Sequence, residues 1–228
     1  MLSPMKPSHM ESNENTLKLL EWRDLIRNPH FAGEVVLTTV ILAGSVWFCM
    51  AITHYVHARP GVILDDPIHN LIGPINLRWP VFVVLWSSLV AGICILSKAP
   101  ERLLIWLQAA AALICLRGAA LYLVPLAPPQ TIIPLADPIA TLRTEAGDVI
   151  ANDLFFSGHT ATMFLLFLAI DSIRVRLFVF AGFVFIGVAV VLQHVHYCGD
   201  VFAAPFFAYG SWRLVLFIHK KVEKSFSY

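Results

Sequence analysis

The sequence predicts an all-α polytopic membrane protein, a six-helix transmembrane bundle, on three observations. Of 228 residues, 58% are hydrophobic and 14% charged, against about 25% charged in soluble domains. Six apolar runs approach the roughly 20 residues that cross about 30 Å of hydrocarbon. Lysine and arginine gather in alternate connections between those runs, as they do on the cytoplasmic side of membrane proteins.

Taken in order, residues 1–33 form a polar N-terminal segment. Within it 16–26 carries Leu17, Leu20 and Leu25 among charges, the pattern of a short amphipathic helix lying in the membrane interface. The segment lacks the charged-then-apolar order of a cleaved signal peptide. The expected spans are 35–56, 79–97, 103–124, 159–173, 177–194 and 201–218, the fourth being the shortest. Residues 62–77, with Asp65, Asp66 and Pro67 near their start, are too interrupted to span and are expected along the interface. Pro125, Pro128, Pro129 and Pro134 make the connection from the third to the fourth span extended and non-helical. Residues 34–219 therefore read as one transmembrane domain, and 220–228 as a basic tail.

Orientation follows from the loops. Lys18, Arg23 and Arg27 precede the first span, Lys98 and Arg102 join the second to the third, Arg174 and Arg176 the fourth to the fifth, and Lys220, Lys221 and Lys224 follow the sixth. Both termini are thus expected in the cytoplasm, and the loops 58–78, 125–158 and 195–200 on the outer side. A net charge of +1 offers no basic surface for nucleic acid. Cys49, Cys94 and Cys115 lie inside apolar runs and Cys198 at the edge of one, so neither a disulfide framework nor a CxxC metal site is present.

Two polar clusters sit at the outer ends of apolar spans, where ionisable groups are costly and usually functional. One is Asp153-Leu154-Phe155-Phe156-Ser157-Gly158-His159-Thr160, entering the fourth span. The other is His194-Val195-His196-Tyr197-Cys198-Gly199-Asp200-Val201, between the fifth and sixth. Ser157 followed by Gly158 suits a helix N-terminus that caps its amides and lets an anion approach, a geometry that favours phosphate. His159 then stands beside the anion as a proton donor or acceptor. His196 and Asp200, four apart, share a face if their stretch is helical, so that the carboxylate holds one imidazole nitrogen and leaves the other to attack phosphorus. Arg117, some 14 residues into the third span, is a buried cation in need of an anionic partner. The bland alternatives are an interfacial role for His194, an internal pairing for Arg117, and solvated loop positions for Asp65, Asp66 and Asp137. A metal held by His159, His194 and His196 has no familiar zinc or iron spacing behind it.

These residues resemble the sphingomyelin synthase-like branch of the type 2 phosphatidic acid phosphatase superfamily. Its D-x-x-x-S-G-H-T motif is met by Asp153, Ser157, Gly158, His159 and Thr160, and its H-Y-x-x-D-V motif by His196, Tyr197, Asp200 and Val201. Arg117 in Leu116-Arg117-Gly118 is similar to that branch's arginine motif in the third helix. Asp65-Asp66-Pro67 is a looser counterpart of its acidic-proline motif. The departures are Ala151-Asn152 in place of Cys-Gly, Cys198 in place of threonine and Pro205 in place of tyrosine. The Lys-x6-Arg-Pro motif of the wider superfamily is absent.

The resemblance implies a phospho-headgroup transferase embedded in the bilayer, its site at the outer leaflet. The donor is a glycerophospholipid and the acceptor is ceramide or a diacylglycerol-type lipid alcohol. In that reading His196 is the nucleophile, Asp200 orients it, His159 moves the proton, and Arg117, Ser157 and Gly158 hold the phosphate. Asp153 and Tyr197 support them, and no metal or cofactor takes part. A lipid phosphate hydrolase using the same residues and a non-enzymatic lipid-binding relative are the competing expectations.

Overall fold

The computed structural model describes residues 22–57, 59–135 and 154–226. Among them the chain is helical, with eight helices and no strand: α1 (Trp22–Ile26), α2 (Pro29–His57), α3 (Pro67–Leu71), α4 (Arg78–Leu96), α5 (Pro100–Leu123), α6 (Gly158–Ala169), α7 (Ile173–Leu192) and α8 (Cys198–Phe226). The helix α1 keeps only the end of the expected amphipathic stretch, whose first part lies outside the described residues. Five helices, α2, α4, α5, α7 and α8, are long and apolar enough to cross a membrane, which marks an integral membrane protein.

The remaining expected span, the fourth, is α6, and at 12 residues it reaches only about 18 Å. Its position explains its length. At one end the Arg117 guanidinium of α5 donates to the carbonyl of Phe156, just ahead of α6. At the other, Arg102 of α5 pairs with Asp171, just beyond it. The rise along α5 from Arg102 to Arg117 is about 22 Å. With its flanking residues α6 fills that interval and starts some six residues short of the end of α5, recessed by about 9 Å. It packs against α4, α5, α7 and α8, and Leu165, Leu166, Met163 and Ala161 are fully buried there. Glycines admit it: a Cβ at Gly92 of α4 would strike Leu166, and one at Gly182 of α7 would strike Met163.

By contrast α2 lies on the outside, resting mainly on α5. Its buried residues Phe31, Thr38 and Ser45 recur every seventh position, a narrow seam rather than a broad face. Two polar bonds pin the register along parallel helices. Gln108 Nε2 donates to Thr38 Oγ1 at 3.1 Å, and Cys115 Sγ meets Ser45 Oγ at 3.2 Å. Inside a membrane such bonds act as glue, since lipid offers no hydrophobic drive for helices to associate.

The ends of α3, α4, α5, α6, α7 and α8 that carry the two motifs gather at one end of the bundle. There Val62 forms an isolated parallel bridge with Leu126, and Ile75 N–H donates to the Leu192 carbonyl at 2.8 Å. Gly61 sits where a Cβ would lie 2.5 Å from Ala127 N and 2.6 Å from the Leu126 carbonyl carbon. Those are backbone atoms that cannot swing aside. Gly61→Ala is therefore expected to lower stability by about 1–3 kcal/mol through overpacking. Gly44→Ala, with open space around its Cβ, should leave stability unchanged or raise it. Thermal unfolding of the two variants in the same detergent checks the contrast.

Candidate active site

Both motifs are positioned by helix ends. Ser157 caps α6 from extended backbone: its Oγ accepts from Thr160 N–H at 3.4 Å and from the Thr160 hydroxyl at 2.9 Å. The serine is fully buried, so its oxygen serves the helix cap. The amides that head α6 belong to Gly158 and His159. Gly158 lets the guanidinium approach closely: a Cβ there would stand 3.2 Å from Arg117 Cζ. Phe156, fully buried and stacked on Phe207 of α8 at 4.3 Å, holds the approach strand against the bundle. His159 is half-buried, with its ring edge-on to Phe82 of α4 at 6.1 Å.

The second motif begins where α7 stops. His194 N–H donates to the Val191 carbonyl and Val195 N–H to the Val190 carbonyl, the paired bonds of a Schellman ending. The residue in the left-handed position, where glycine is usual, is His194 at φ 57°. That conformation costs about 1–2 kcal/mol, and the ring's contacts offset it. His194 Nε2 donates to the Ile72 carbonyl at 3.0 Å, Nδ1 lies 2.5 Å from Thr131 Oγ1, and His69 stacks on it at 4.1 Å. With both nitrogens engaged, His194 is a structural pin, and the three-histidine metal arrangement loses a ligand.

The turn then delivers His196, buried, with Nδ1 3.5 Å from Asp200 Oδ2. His196 lies ahead of α8 and not on it, so the expected shared helical face does not form. Asp200 comes round instead on the first turn of α8, and its Oδ2 also accepts Tyr197 N–H at 3.0 Å, the reach-back of a capping box. At 3.5 Å the Nδ1 contact is too long for a hydrogen bond in this state, which leaves that buried nitrogen unsatisfied; catalytic contacts often tighten only once substrate is bound. The motifs meet directly: Ser157 N–H donates to the Asp200 carbonyl at 3.2 Å.

Tyr197 points elsewhere. Its hydroxyl donates to the Ala127 carbonyl at 2.9 Å and accepts Leu64 N–H at 3.2 Å, tying two loops together. Asp153 lies outside the described residues, as does Asp137. Asp66 corrects its expected solvated position: it is buried, because its carboxylate serves two helices at once. One oxygen caps α3 through Ile68 N–H at 2.9 Å, and the other takes Cys198 N–H, heading α8, at 2.7 Å. An aspartate directly before a proline at the first helical position is a legible cap signal, although the partner on α8 is not.

No family model, curated protein or solved structure matches the chain.

Burial alone would raise the Asp66 pKa. The Cys198 amide and thiol, the Ile68 amide and the His69 charge outweigh it and hold the carboxyl below its ordinary 3.8. A depressed folded-state pKa means stability that is present above the unfolded value and lost as pH falls through the folded one. Acid destabilisation of the wild type below about pH 4 should therefore be shallower in Asp66→Asn, which should also melt lower at pH 7. Melting curves from pH 3 to 7 for both proteins check the sign.

Proposed function

We propose that this protein is an integral-membrane lipid phosphotransferase of the sphingomyelin synthase-like kind. It moves a phospho-headgroup from a glycerophospholipid to ceramide or another lipid alcohol. The observation that carries the reading is an electrostatic inversion between two helix ends that touch. The N-terminus of α8 receives the carboxylates of Asp66 and Asp200, as a positive helix end should. The N-terminus of α6 has no acidic residue in its first turn, and Arg117 is laid across it. The guanidinium of Arg117 and the amides at the head of α6 thus converge on one place, and a phosphate bound there meets donors of both kinds in the geometry each prefers.

On this reading two imidazoles, His159 and His196, flank that position. In the first step His196 Nε2 attacks phosphorus while the bond to the diacylglycerol oxygen breaks, and His159 gives that oxygen a proton. Asp200, on the Nδ1 side, supports the charge the ring develops. In the second, His159 takes the proton of the acceptor hydroxyl, whose oxygen attacks phosphorus as the P–N bond breaks, restoring His196. The amides of Gly158 and His159 with Arg117 stabilise the charge on the phosphoryl oxygens. Recession by several ångströms and burial of His196 and Asp200 support a lipid acceptor over water. On this reading both termini lie in the cytoplasm and the site faces the outer leaflet, a polarity supported by the lysines and arginines of alternate connections.

Product analysis of purified protein given mixed phosphatidylcholine and phosphatidylethanolamine, with and without ceramide, tests this. A ceramide-dependent phosphosphingolipid is expected, lost at least about a hundredfold in His159→Ala, His196→Ala and Asp200→Asn while each remains folded. Release of free headgroup phosphate without ceramide would make the enzyme a hydrolase. No product under any condition would end the enzymatic reading.

A further inference from the structure

The buried stripe of α4 runs through Phe82, Leu85, Ser88, Gly92 and Leu96. Carried one turn back, it falls on Arg78. On the other face Trp79, Val83, Trp86 and Val90 are exposed to the surroundings. Arg78 thus begins its helix on the bundle side, at the end that holds both motifs. Its Nε is buried and, among the described residues, has no hydrogen-bond partner. A guanidinium donor shielded from water without an acceptor costs more than an ordinary hydrogen bond contributes, and such a group in a native fold calls for an explanation.

Its neighbours say which. One turn on, Phe82 lies against the His159 ring. One residue back, Leu77 N–H donates to Gln193 Oε1 at 3.1 Å, and Gln193 closes α7 three residues before His196. The fully buried Gln193 is itself held by the Ile133 carbonyl at 2.9 Å. Arg78 is therefore bracketed between the segments that present the two histidines. Its guanidinium lies over the Trp79 ring, at 5.7 Å to the centroid, which steadies the side chain without satisfying Nε.

We propose that Arg78 is a second phosphate-binding cation of this site, donating through Nε to the substrate's phosphoryl oxygens alongside Arg117. This rests on the reading that the site takes a phosphate ester, and it adds a residue that neither motif contains. A phosphodiester in a poorly hydrated site carries one full charge over two oxygens, so a second planar donor fixes its rotation as well as its depth. A purely structural, interfacial role for Arg78 would affect folding and leave anion affinity unchanged.

The test is the dissociation constant of inorganic phosphate for the full chain in nanodiscs, together with KM and kcat for a short-chain phospholipid. Wild type, Arg78→Gln, Arg78→Lys and Arg117→Gln are compared, with melting temperature as the folding control. Arg78→Gln is expected to weaken phosphate binding about tenfold or more, the loss of one charge-assisted bond, and to raise KM. Arg78→Lys, which keeps the charge and loses the Nε donor, should fall between, and it serves alone if the glutamine variant does not assemble. Unchanged affinity in the Arg78 variants with a loss in Arg117→Gln would overturn this role alone. A wild type that neither binds phosphate nor turns over lipid would overturn the phosphate-ester reading and Arg78's role with it.

Discussion

The side-by-side meeting of the N-termini of α6 and α8 is the constraint around which the motif end of the bundle is organised. Two helix N-termini in contact bring like partial charges together, and an apolar bundle cannot disperse them into solvent. The chain answers asymmetrically. Around α8 it draws in carboxylates, Asp200 from the first turn and Asp66 from a distant loop, each accepting an amide at the helix start. Around α6 it supplies a serine cap and an arginine. The single backbone bond from Ser157 N–H to the Asp200 carbonyl locks the two solutions side by side, so that the serine-capped end of one helix lies next to the aspartate that heads the other.

Depth is the second consequence. Because α6 begins at the level of Arg117, the motif end is dished, and the residues descending into it must be apolar or fully bonded. Leu154 and Phe156 meet the first condition, packed on Leu126, Tyr197 and Phe207. Gln193, His194 and Tyr197 meet the second, each bonded to the carbonyl of a loop. The loops over this end are stitched from both sides for the same reason: Ile75 to Leu192, Ile133 to Gln193 and Val62 to Leu126. The opposite end needs less, and Trp22 bonded to the Ser97 carbonyl and Arg102 paired with Asp171 suffice to close it.

Much of this was legible in composition and charge, and the limits have physical causes. Apolar length located α2, α4, α5, α7 and α8, because a span must satisfy its backbone internally and sequence alone states how many residues do so. The same measure overcounted α6, since hydropathy registers that Ile170 is apolar and not that the helix has ended there, and recession shortens the helix without changing its character. Both motifs were readable because Ser-Gly and His-x3-Asp carry local geometry; yet the second works across a turn and not along a helix, a distinction that four-residue spacing cannot make. The second role of Asp66 was illegible, although its cap on α3 was not. Its partner Cys198 lies far away in the chain, and charge in a loop looks the same whether water or a helix end receives it.

The recess also decides which chemistry the arrangement favours. Charges in such a site interact more strongly than at the surface, which on the proposed reading strengthens the pull of Arg117 on a phosphoryl oxygen. A site of this kind would resist releasing that anion as a free ion into hydrocarbon. A mechanism that parks the phosphoryl group on His196 between two lipid alcohols never has to release it. The anion stays bonded to the protein while the neutral diacylglycerol leaves and the neutral acceptor enters, both from the bilayer. On the proposed reading, burial and covalent catalysis are two sides of one requirement: a site too dry to let a charged headgroup diffuse away must hold it by a bond until the second alcohol arrives.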